Sequence, residues 1–384
     1  MDRIIPKSLQ NRLKSENSLI QILIGPRQVG KTTAITESID LNTCIFASAD
    51  TPTPPSTDFI IENWKKARLL NVNRKTLVLD EVQKVPRWSE VVKSLWDEDA
   101  RNKQIMNVWL LGSSALLIDA GLSESLAGRF ESLFFPHWIY LECKTAFDVT
   151  IDEFVTIGAY PKVYSFKDDP ERRVEYIHNS IIETTLGRDI LALKSIEKPA
   201  LLRRLFGYVR KLPSQIISFE KILGHVQGKG NSATLVHYAE LLRMAHLLIP
   251  LEKYSSSLHR TKKSIPKWII PNTALIDPGV LAQGFKEFVF ENVVGAHLVN
   301  LTYGSVRYKI YYWREGSLEI DFIITEWEKP ILAIEVKSGN TKKIKDIHIK
   351  SVGFECPFLV VHQNNVERFL LTAEVSQLLE MQTF

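Results

Sequence analysis

Short apolar runs alternate with longer amphipathic stretches through the first third of the chain. The runs are Ile20–Ile24, Cys44–Ala47, Thr76–Leu79 and Val108–Leu111. Short apolar runs separated by helical stretches are typical of strands that are buried on both faces of a parallel sheet. The pattern therefore predicts an α/β fold in which strands and helices alternate along the chain.

The pattern of apolar positions changes twice after this region. Residues 145–202 predict mainly helices, interrupted by a turn at Gly158–Pro161, and residues 201–271 predict three helices followed by a β-hairpin. The remainder predicts a mixed α/β fold, with strands near Tyr308–Tyr312, Leu318–Ile324, Ile331–Lys337 and Phe358–Val361. We therefore predict four domains, at residues 1–145, 146–200, 201–272 and 273–384.

Composition narrows the class of protein without identifying a partner. Of the 384 residues 45% are hydrophobic, and the net charge is only +4, so any basic surface must be local. The three cysteines form no closely spaced pair, which argues against a disulfide framework and a cysteine-based zinc site. The N-terminus lacks the apolar core of a signal peptide and no run is long enough to span a bilayer, so we expect a cytoplasmic protein.

The segment after the first apolar run fits the P-loop pattern GxxxxGK[ST] at every fixed position, between a predicted strand and a predicted helix. Its glycines let backbone amides approach phosphates, and the helix N-terminus favours negative charge. Lys31 is expected to reach the β- and γ-phosphates of ATP, and Thr32 to ligate Mg²⁺. The residues predicted to contact the nucleotide are Gly25, Pro26, Arg27, Gln28, Val29, Gly30, Lys31, Thr32 and Thr33.

Candidate catalytic residues follow the third and fourth apolar runs. Asp80 is expected to hold Mg²⁺ and Glu81 to polarise the attacking water, the alternative being a solvated strand end. Ser113 is a candidate sensor of the γ-phosphate, or else a turn or helix cap. Arg129 is a candidate arginine finger, acting in its own chain or on a neighbouring subunit, or else a surface arginine.

The middle of the chain predicts a helix-turn-helix over residues 218–245, followed by two apolar runs that can pair as a wing. Between these runs lies the compact basic stretch Ser257–Lys263. Such a module either contacts DNA phosphates or serves as a linker with a solvated basic loop.

Acidic residues interrupt two apolar strands near the C-terminus. Asp321 lies in one strand, and Glu335 and Lys337 lie in the next, where alternate residues share a face. With Glu291 in a preceding helical stretch, they predict a site in which Glu291, Asp321 and Glu335 ligate Mg²⁺ or Mn²⁺ and Lys337 stabilises developing charge. Salt bridges from Lys337 would also satisfy the carboxylates. The spacing and the strand context resemble the PD-(D/E)XK nucleases.

The segments GPRQVGKTT, LVLDEVQKVPRW, LLGSSALL and SESLAGRF, in this order, resemble archaeal and bacterial AAA-type ATPases that carry a C-terminal domain of unknown function. The resemblance covers nearly the whole chain. It implies a P-loop AAA-like parallel sheet, a helical lid, a winged helix and a C-terminal α/β restriction-endonuclease-like domain. The resemblance implies an adenine contact at Pro161 in the lid turn Gly158–Pro161, although the second glycine of the family's turn is replaced here by Ala159. It also implies that Arg188 is a second sensor arginine.

Three functions are compatible with these motifs. We expect an AAA-type ATPase that binds and hydrolyses ATP with Mg²⁺, acts on DNA and carries a metal-dependent nuclease-like domain. The alternatives are a DNA-remodelling module whose nuclease-like domain is inactive, and an ATP-driven switch that recognises a protein partner. Assembly into a homo-oligomer is compatible with each of them.

Overall fold

A computed structural model of the chain describes residues 7–14, 19–104, 106–113, 125–191, 196–226, 231–255, 264–283, 287–338 and 356–381. They form two compact units. The first comprises the described residues within 3–135 and 187–195, and the second comprises those within 136–186 and 196–384. Among the helices of these described ranges, none is both long enough and apolar enough to cross a membrane.

The first unit is built on a parallel sheet of five strands in the order β2-β3-β4-β1-β5. The strands are β1 (Ile20–Gly25), β2 (Cys44–Ser48), β3 (Thr76–Asp80), β4 (Asn107–Ser113) and β5 (Phe130–Phe134). The helices are α1 (Lys7–Lys14), α2 (Lys31–Ser38), α3 (Asp58–Arg68) and α4 (Trp88–Arg101). The predicted parallel α/β sheet is confirmed. The pattern of apolar runs did not predict β5, because this edge strand carries exposed Glu131 and Ser132 and therefore forms no apolar run.

Buried aliphatic side chains of the sheet and a buried hydrogen bond between two helices stabilise this unit. Ile22, Leu79 and Leu110 are fully buried in one cluster with Trp64 of α3. Trp64 Nε1 donates to Asp99 of α4 at 2.7 Å, so a polar contact also joins the two helices. The carboxyl ends of β1, β3 and β4, which are neighbours in the order β3-β4-β1, therefore lie on a rigid edge. In open parallel sheets this edge is where ligands bind.

The second unit contains most of the helices. They are α5 (Tyr140–Phe147), α6 (Ile151–Ile157), α7 (Pro170–Tyr176), α8 (Pro199–Val209), α9 (Phe219–His225), α10 (Ser232–Met244), α11 (Pro278–Leu281), α12 (Glu287–Thr302), α13 (Val366–Leu370) and α14 (Val375–Glu380). A π-helical turn covers Ile177–Ile182, and 3₁₀ helices cover Pro161–Phe166 and Thr273–Leu275. Strands β6 (Ile249–Leu251) and β7 (Lys267–Ile269) pair antiparallel, as the two apolar runs predict.

The C-terminal part of the second unit is a mixed sheet in the order β11-β10-β9-β8. The strands are β8 (Tyr308–Glu315), β9 (Leu318–Glu326), β10 (Lys329–Lys337) and β11 (Phe358–His362). Only the pairing of β10 with β11 is parallel. Gly295 lets α12 approach β9 closely, since an added Cβ would lie 2.8 Å from the Phe322 ring. Asn292 ties α12 to the strand region of β7, accepting from Ile270 N and donating to Ile270 O at 2.9 Å each.

Candidate nucleotide site and carboxylate cluster

The P-loop connects β1 to α2 through a backbone conformation that requires glycine at two positions. A Cβ at Gly25 would lie well within 3.0 Å of the carbonyl oxygen of Phe135, so the close approach requires glycine. Gly30 has φ +87°, in the left-handed region that glycine adopts without strain. Gln28 also has a positive φ, of 55°, which for a residue with a side chain is uncommon and marks a constrained loop.

Lys31, the first residue of α2, lies buried against the loop that precedes it. Its Nζ donates to the carbonyl oxygens of Gly25 at 3.0 Å and Pro26 at 2.6 Å. Thr33 is half-buried on the first turn of the same helix. The loop thus wraps around the ammonium group, which matches the cradle expected of a phosphate-binding lysine.

The hydroxyl and carboxylate predicted to hold Mg²⁺ lie together. Thr32 Oγ1 donates to Asp80 Oδ2 at 3.0 Å. Burial raises the pKa of Asp80, and the hydrogen bond from Thr32 opposes that rise. Both are hard oxygen donors, the type that Mg²⁺ takes in proteins, so this pair fits the ion chemically.

Glu81 follows at the end of β3 in a left-handed conformation, with φ +53°. Its backbone N–H donates to Asp80 Oδ1 at 3.0 Å, and its carboxylate accepts from the side chain of Gln83. The carboxylate is half-buried. The order β3-β4-β1 sets Asp80 and Glu81 at the sheet edge that carries the P-loop.

An ion pair that the sequence did not predict anchors the side of the P-loop. Arg27 donates through Nε and Nη2 to both carboxylate oxygens of Asp189, a residue 162 positions away in the chain. Burial raises the pKa of Asp189, and Arg27 opposes this. Burial alone would lower the pKa of Arg27, but the bond and charge of Asp189 outweigh it and raise that pKa. A bidentate pair of this kind fixes both position and orientation.

Ser113 and Arg129, the other candidate catalytic residues of the first unit, lie in different surroundings from each other. Ser113 ends β4, and its register partner on β1 is Gly25, which puts its backbone at the P-loop edge. Arg129 pairs with Asp97 of α4, at 2.7 Å from Nε to Oδ1, and this contact anchors it within its own unit. The sensor role of Arg188 stays a prediction, since the contact to the P-loop is made by its neighbour Asp189.

Pro161 belongs to the second unit, where the turn before it has a packing role. Gly158 has φ +84°, and a Cβ there would collide with Ala274. The backbone N–H of Ala159 donates to Asn272 Oδ1 at 2.9 Å. Pro161 itself is buried at the start of a 3₁₀ helix. The adenine contact stays a prediction.

The C-terminal acidic residues surround a lysine that the sequence analysis missed. Lys267 of β7 is fully buried, and its Nζ contacts Glu291 of α12, Glu319 at 3.3 Å and Asp321 at 3.2 Å. Oxygens of the same three carboxylates lie within 4.8 Å of one another, close enough to share a metal ion. The residues fit a divalent cation, but the ammonium of Lys267 already supplies positive charge at that point.

These charges shift one another's protonation. Burial alone would lower the pKa of Lys267, but the charges of Asp321, Glu291 and Glu319 outweigh it and raise that pKa. Burial raises the pKa of Glu291 to about 7, although Lys267 opposes the rise. The cluster therefore favours the charged form of Lys267, and burial disfavours ionisation of Glu291.

Glu335 and Lys337 share one face of β10, as predicted, and form an ion pair with each other. Asp321 reaches the same strand from β9, where its Oδ2 accepts from Val336 N at 2.8 Å. Burial and the charge of Asp321 raise the pKa of Glu335, and Lys337 opposes them. Asp321 thus joins the two groups of residues, and Glu291 lies in the predicted helical stretch, which is α12.

The two helices predicted in residues 218–245 are α9 and α10, whose N-cap residues Ser218 and Asn231 accept hydrogen bonds from the first turns. Their role as a helix-turn-helix stays a prediction, since residues 227–230 between them lie outside the described residues. The basic stretch Ser257–Lys263, with Arg260, Lys262 and Lys263, lies outside the described residues. Its contact with DNA stays a prediction.

Comparison with known sequence families gives three matched regions. Residues 17–143 match a family described as AAA domain, and residues 149–282 and 286–371 match families described as Domain of unknown function (DUF8612) and Domain of unknown function (DUF4143). An uncharacterized protein of Methanocaldococcus jannaschii is 23% identical over 373 residues, covering 85% of this chain and 77% of the relative. One of Mycobacterium tuberculosis is 24% identical over 349 residues, covering 85% of this chain and 71% of the relative.

Solved structures also align with the chain. A DNA polymerase III gamma subunit-related protein from Thermotoga maritima covers 78% of this chain and 86% of its own, with 12% identity and a TM-score of 0.30. The Orc1 protein of Aeropyrum pernix, solved in complex with DNA, covers 72% of this chain and 91% of its own, with 15% identity and a TM-score of 0.26.

The AAA-domain match spans the residues that carry the P-loop and the acidic pair, and the C-terminal match spans the mixed sheet with its carboxylate cluster. The chain therefore carries an AAA domain and, C-terminal to it, a domain of unknown function.

Proposed function

We propose that this protein binds ATP with Mg²⁺ at its P-loop and hydrolyses it. The observation that carries the proposal is the 3.0 Å contact from Thr32 Oγ1 to Asp80 Oδ2 beside the loop that wraps Lys31. When bound, Mg²⁺ would be held by Thr32 and Asp80 and would offset the charge of the phosphates. Lys31 contacts the phosphates, and Glu81 orients the attacking water and takes its proton.

Two substitutions separate binding from turnover. Lys31→Ala is expected to abolish binding of a fluorescent ATP analogue, because it removes the ammonium group that the loop surrounds. Glu81→Gln is expected to retain binding and to reduce phosphate release by a factor of about 10²–10⁴, the usual contribution of a general base. Glu90→Gln, an exposed carboxylate on α4, is the matched control. A wild-type rate of hydrolysis in Glu81→Gln would show that the base has been assigned wrongly.

DNA is the partner that we propose for the ATPase. The support is the arrangement of three helices and a two-stranded sheet in residues 199–269, together with the basic stretch Ser257–Lys263 between the two strands. Fluorescence anisotropy with a labelled duplex, measured at several salt concentrations, tests this. Neutralising Arg260, Lys262 and Lys263 should weaken binding and reduce the slope of affinity against salt by up to about three, one per lost phosphate contact. Unchanged binding would exclude this stretch from DNA contact.

Metal-dependent DNA cleavage at the C-terminal cluster is the second candidate function. The three converging carboxylates Glu291, Glu319 and Asp321 favour it, and the ammonium of Lys267 at their centre favours an inactive, nuclease-like domain. Incubating wild type and Asp321→Ala with labelled single-stranded, duplex and branched DNA, with Mg²⁺ or Mn²⁺ and with or without ATP, decides between them. Cleavage by wild type alone supports a nuclease. DNA binding without cleavage supports a remodelling module. If the protein neither cleaves nor binds DNA, the nucleotide switch is the remaining function. A cytoplasmic location and homo-oligomers are consistent with each outcome.

A further inference from the structure

An open cavity of about 940 Å³ lies within the second unit, and the proposed ATPase and nuclease chemistry does not use it. It is bounded by α7 and the π-helical turn after it, by α8, by the end of α9, and by the segment that contains α11. Cavities of roughly 300–1,000 Å³ are the usual size of small-molecule sites. Much of its wall is apolar, including Ile157, Val174, Ile177, Val226, Ile276 and Leu281.

Basic side chains dominate the charged part of the lining. Arg173, Arg204, Arg210 and Lys211 face one carboxylate, that of Asp277. Asp277 is engaged as the N-cap of α11, where its Oδ1 accepts a backbone N–H at 3.0 Å. Four cationic groups against one carboxylate make the cavity electropositive, which favours an anionic ligand.

Two of the guanidinium groups retain a buried donor. The Nε atoms of Arg173 and Arg210 are buried, and neither has a hydrogen-bond acceptor within the part of the chain that the structure describes. Arg210 is held in place through Nη2, which donates to the carbonyl oxygen of Ile276 at 3.0 Å. Burial lowers the pKa of Arg210, and Asp277 opposes this only in part. Buried unpaired donors on charged groups are costly, and a phosphate or carboxylate oxygen is the acceptor that satisfies them best.

Two features of the wall suit an apolar or flat molecular body. Tyr208 and His225 both line the cavity and stack on each other, with ring centroids 5.2 Å apart and planes at 16°. Gly207, inside α8, faces the same space, and a Cβ added there would meet no atom within 4 Å. A glycine inside a helix makes the helix less stable than an alanine would, so the open space beside Gly207 is accompanied by a loss of helix stability.

We propose that this cavity is a second ligand site, for an organic anion with an apolar body and a phosphate or carboxylate group. The anionic oxygens accept from Arg173 and Arg210, and the body lies against the apolar wall beside Tyr208 and His225. The site shares no residue with the P-loop, so it is testable whether or not the protein hydrolyses ATP.

A matched pair of fluorescent probes tests the charge requirement on the full chain. The probes are 8-anilinonaphthalene-1-sulfonate, which is anionic, and N-phenyl-1-naphthylamine, which has the same rings without the sulfonate. Arg173→Met and Arg210→Met should each weaken binding of the anionic probe about tenfold or more, as expected for a lost charge-assisted hydrogen bond, and leave the neutral probe unaffected. Arg172→Met, next to Arg173 but outside the cavity lining, is the control and should change neither affinity.

Filling the cavity tests its location without removing charge. Gly207→Phe should abolish binding of both probes, while its thermal stability is expected to match or exceed that of wild type because the helix loses a glycine. Circular dichroism and melting curves establish that each variant is folded. Equal affinity for the anionic probe in wild type and both arginine variants, or unaffected binding in Gly207→Phe, would overturn the proposal.

Displacement of the anionic probe identifies the molecular body. The displacement is measured in Lys31→Ala, so that added nucleotide does not report on the P-loop. Displacement by adenosine monophosphate indicates a nucleotide-type ligand, and displacement by octanoate indicates an alkyl carboxylate. If neither displaces the probe at millimolar concentration, the cavity does not take a phosphate or carboxylate ligand and the proposal is wrong.

Discussion

Replacing Lys267 by methionine is the most direct test of what neutralises the C-terminal carboxylates. Methionine has a similar length and volume, so the change removes the charge with little loss of packing. It leaves Glu291, Glu319 and Asp321 facing one another without the ammonium that each now contacts. We expect a large loss of stability in the presence of a chelator and a recovery when a divalent cation is added.

The expected loss of stability in Lys267→Met follows from the burial of Lys267 and its carboxylate partners. Lys267 is fully buried, and breaking a buried ion pair by removing one partner costs about 3–5 kcal/mol. At about 2–4 °C per kcal/mol for a unit of this size, the melting temperature should fall by about 6–20 °C. A cation at a hundred times its dissociation constant should restore about 2.7 kcal/mol, or about 5–11 °C.

Thermal unfolding in EDTA and in Mn²⁺ measures both effects. Wild type should respond little to Mn²⁺, because Lys267 holds the position that the cation would take. Lys329→Met, at an exposed position of β10, is the control and should stay within about 0.5 kcal/mol of wild type. An unchanged melting temperature for Lys267→Met in EDTA, or an equal gain from Mn²⁺ in wild type, would refute the reasoning.

Three further predictions concern single positions in the two units. Gly25→Ala should displace the P-loop from the carbonyl oxygen of Phe135, which costs about 1–3 kcal/mol and weakens nucleotide affinity in the same titration used for Lys31→Ala. Asp189→Asn should cost about 1.5–3 kcal/mol in a urea titration without nucleotide, because Arg27 loses its charged acceptor, and an unchanged midpoint would contradict this. Burial lowers the pKa of His297 to about 3, so the fold favours the neutral ring. The neutral ring's contribution to stability is complete above the unfolded pKa of about 6.5 and is lost as the pH falls toward 3, at up to about 1.4 kcal/mol per pH unit. His297→Gln should therefore reduce the dependence of the free energy of unfolding on pH, measured by urea titrations at about pH 6 to 4.

The arrangement of the candidate nucleotide site was predictable because its signals are local. The P-loop is one contiguous motif, and Asp80 ends an apolar strand, so the topology of a parallel sheet brings the two together. The short edge strand β5 was missed because its exposed residues Glu131 and Ser132 leave no apolar run.

The carboxylate cluster was only half predictable. The alternation along β10 correctly placed Glu335 and Lys337 on one face. Lys267 opens an apolar strand 54 residues before Asp321, and at such a position a lysine usually turns its charge to solvent. Its burial depends on α12 and β9 closing over β7, which no periodicity in the sequence reveals. Asp189 was missed for the same reason, because its partner Arg27 lies in a distant segment.

The pairing of Arg27 with Asp189 has a consequence for how the protein is made. The first unit is discontinuous in sequence: residues 136–186, which belong to the second unit, lie between the two segments of the first. During synthesis, therefore, the nascent P-loop acquires the carboxylate partner of Arg27 only after some 50 residues of another unit have left the ribosome, counting from 136 to 186. Translation of that insertion sets a delay between the synthesis of the P-loop and the pairing of Arg27 with Asp189.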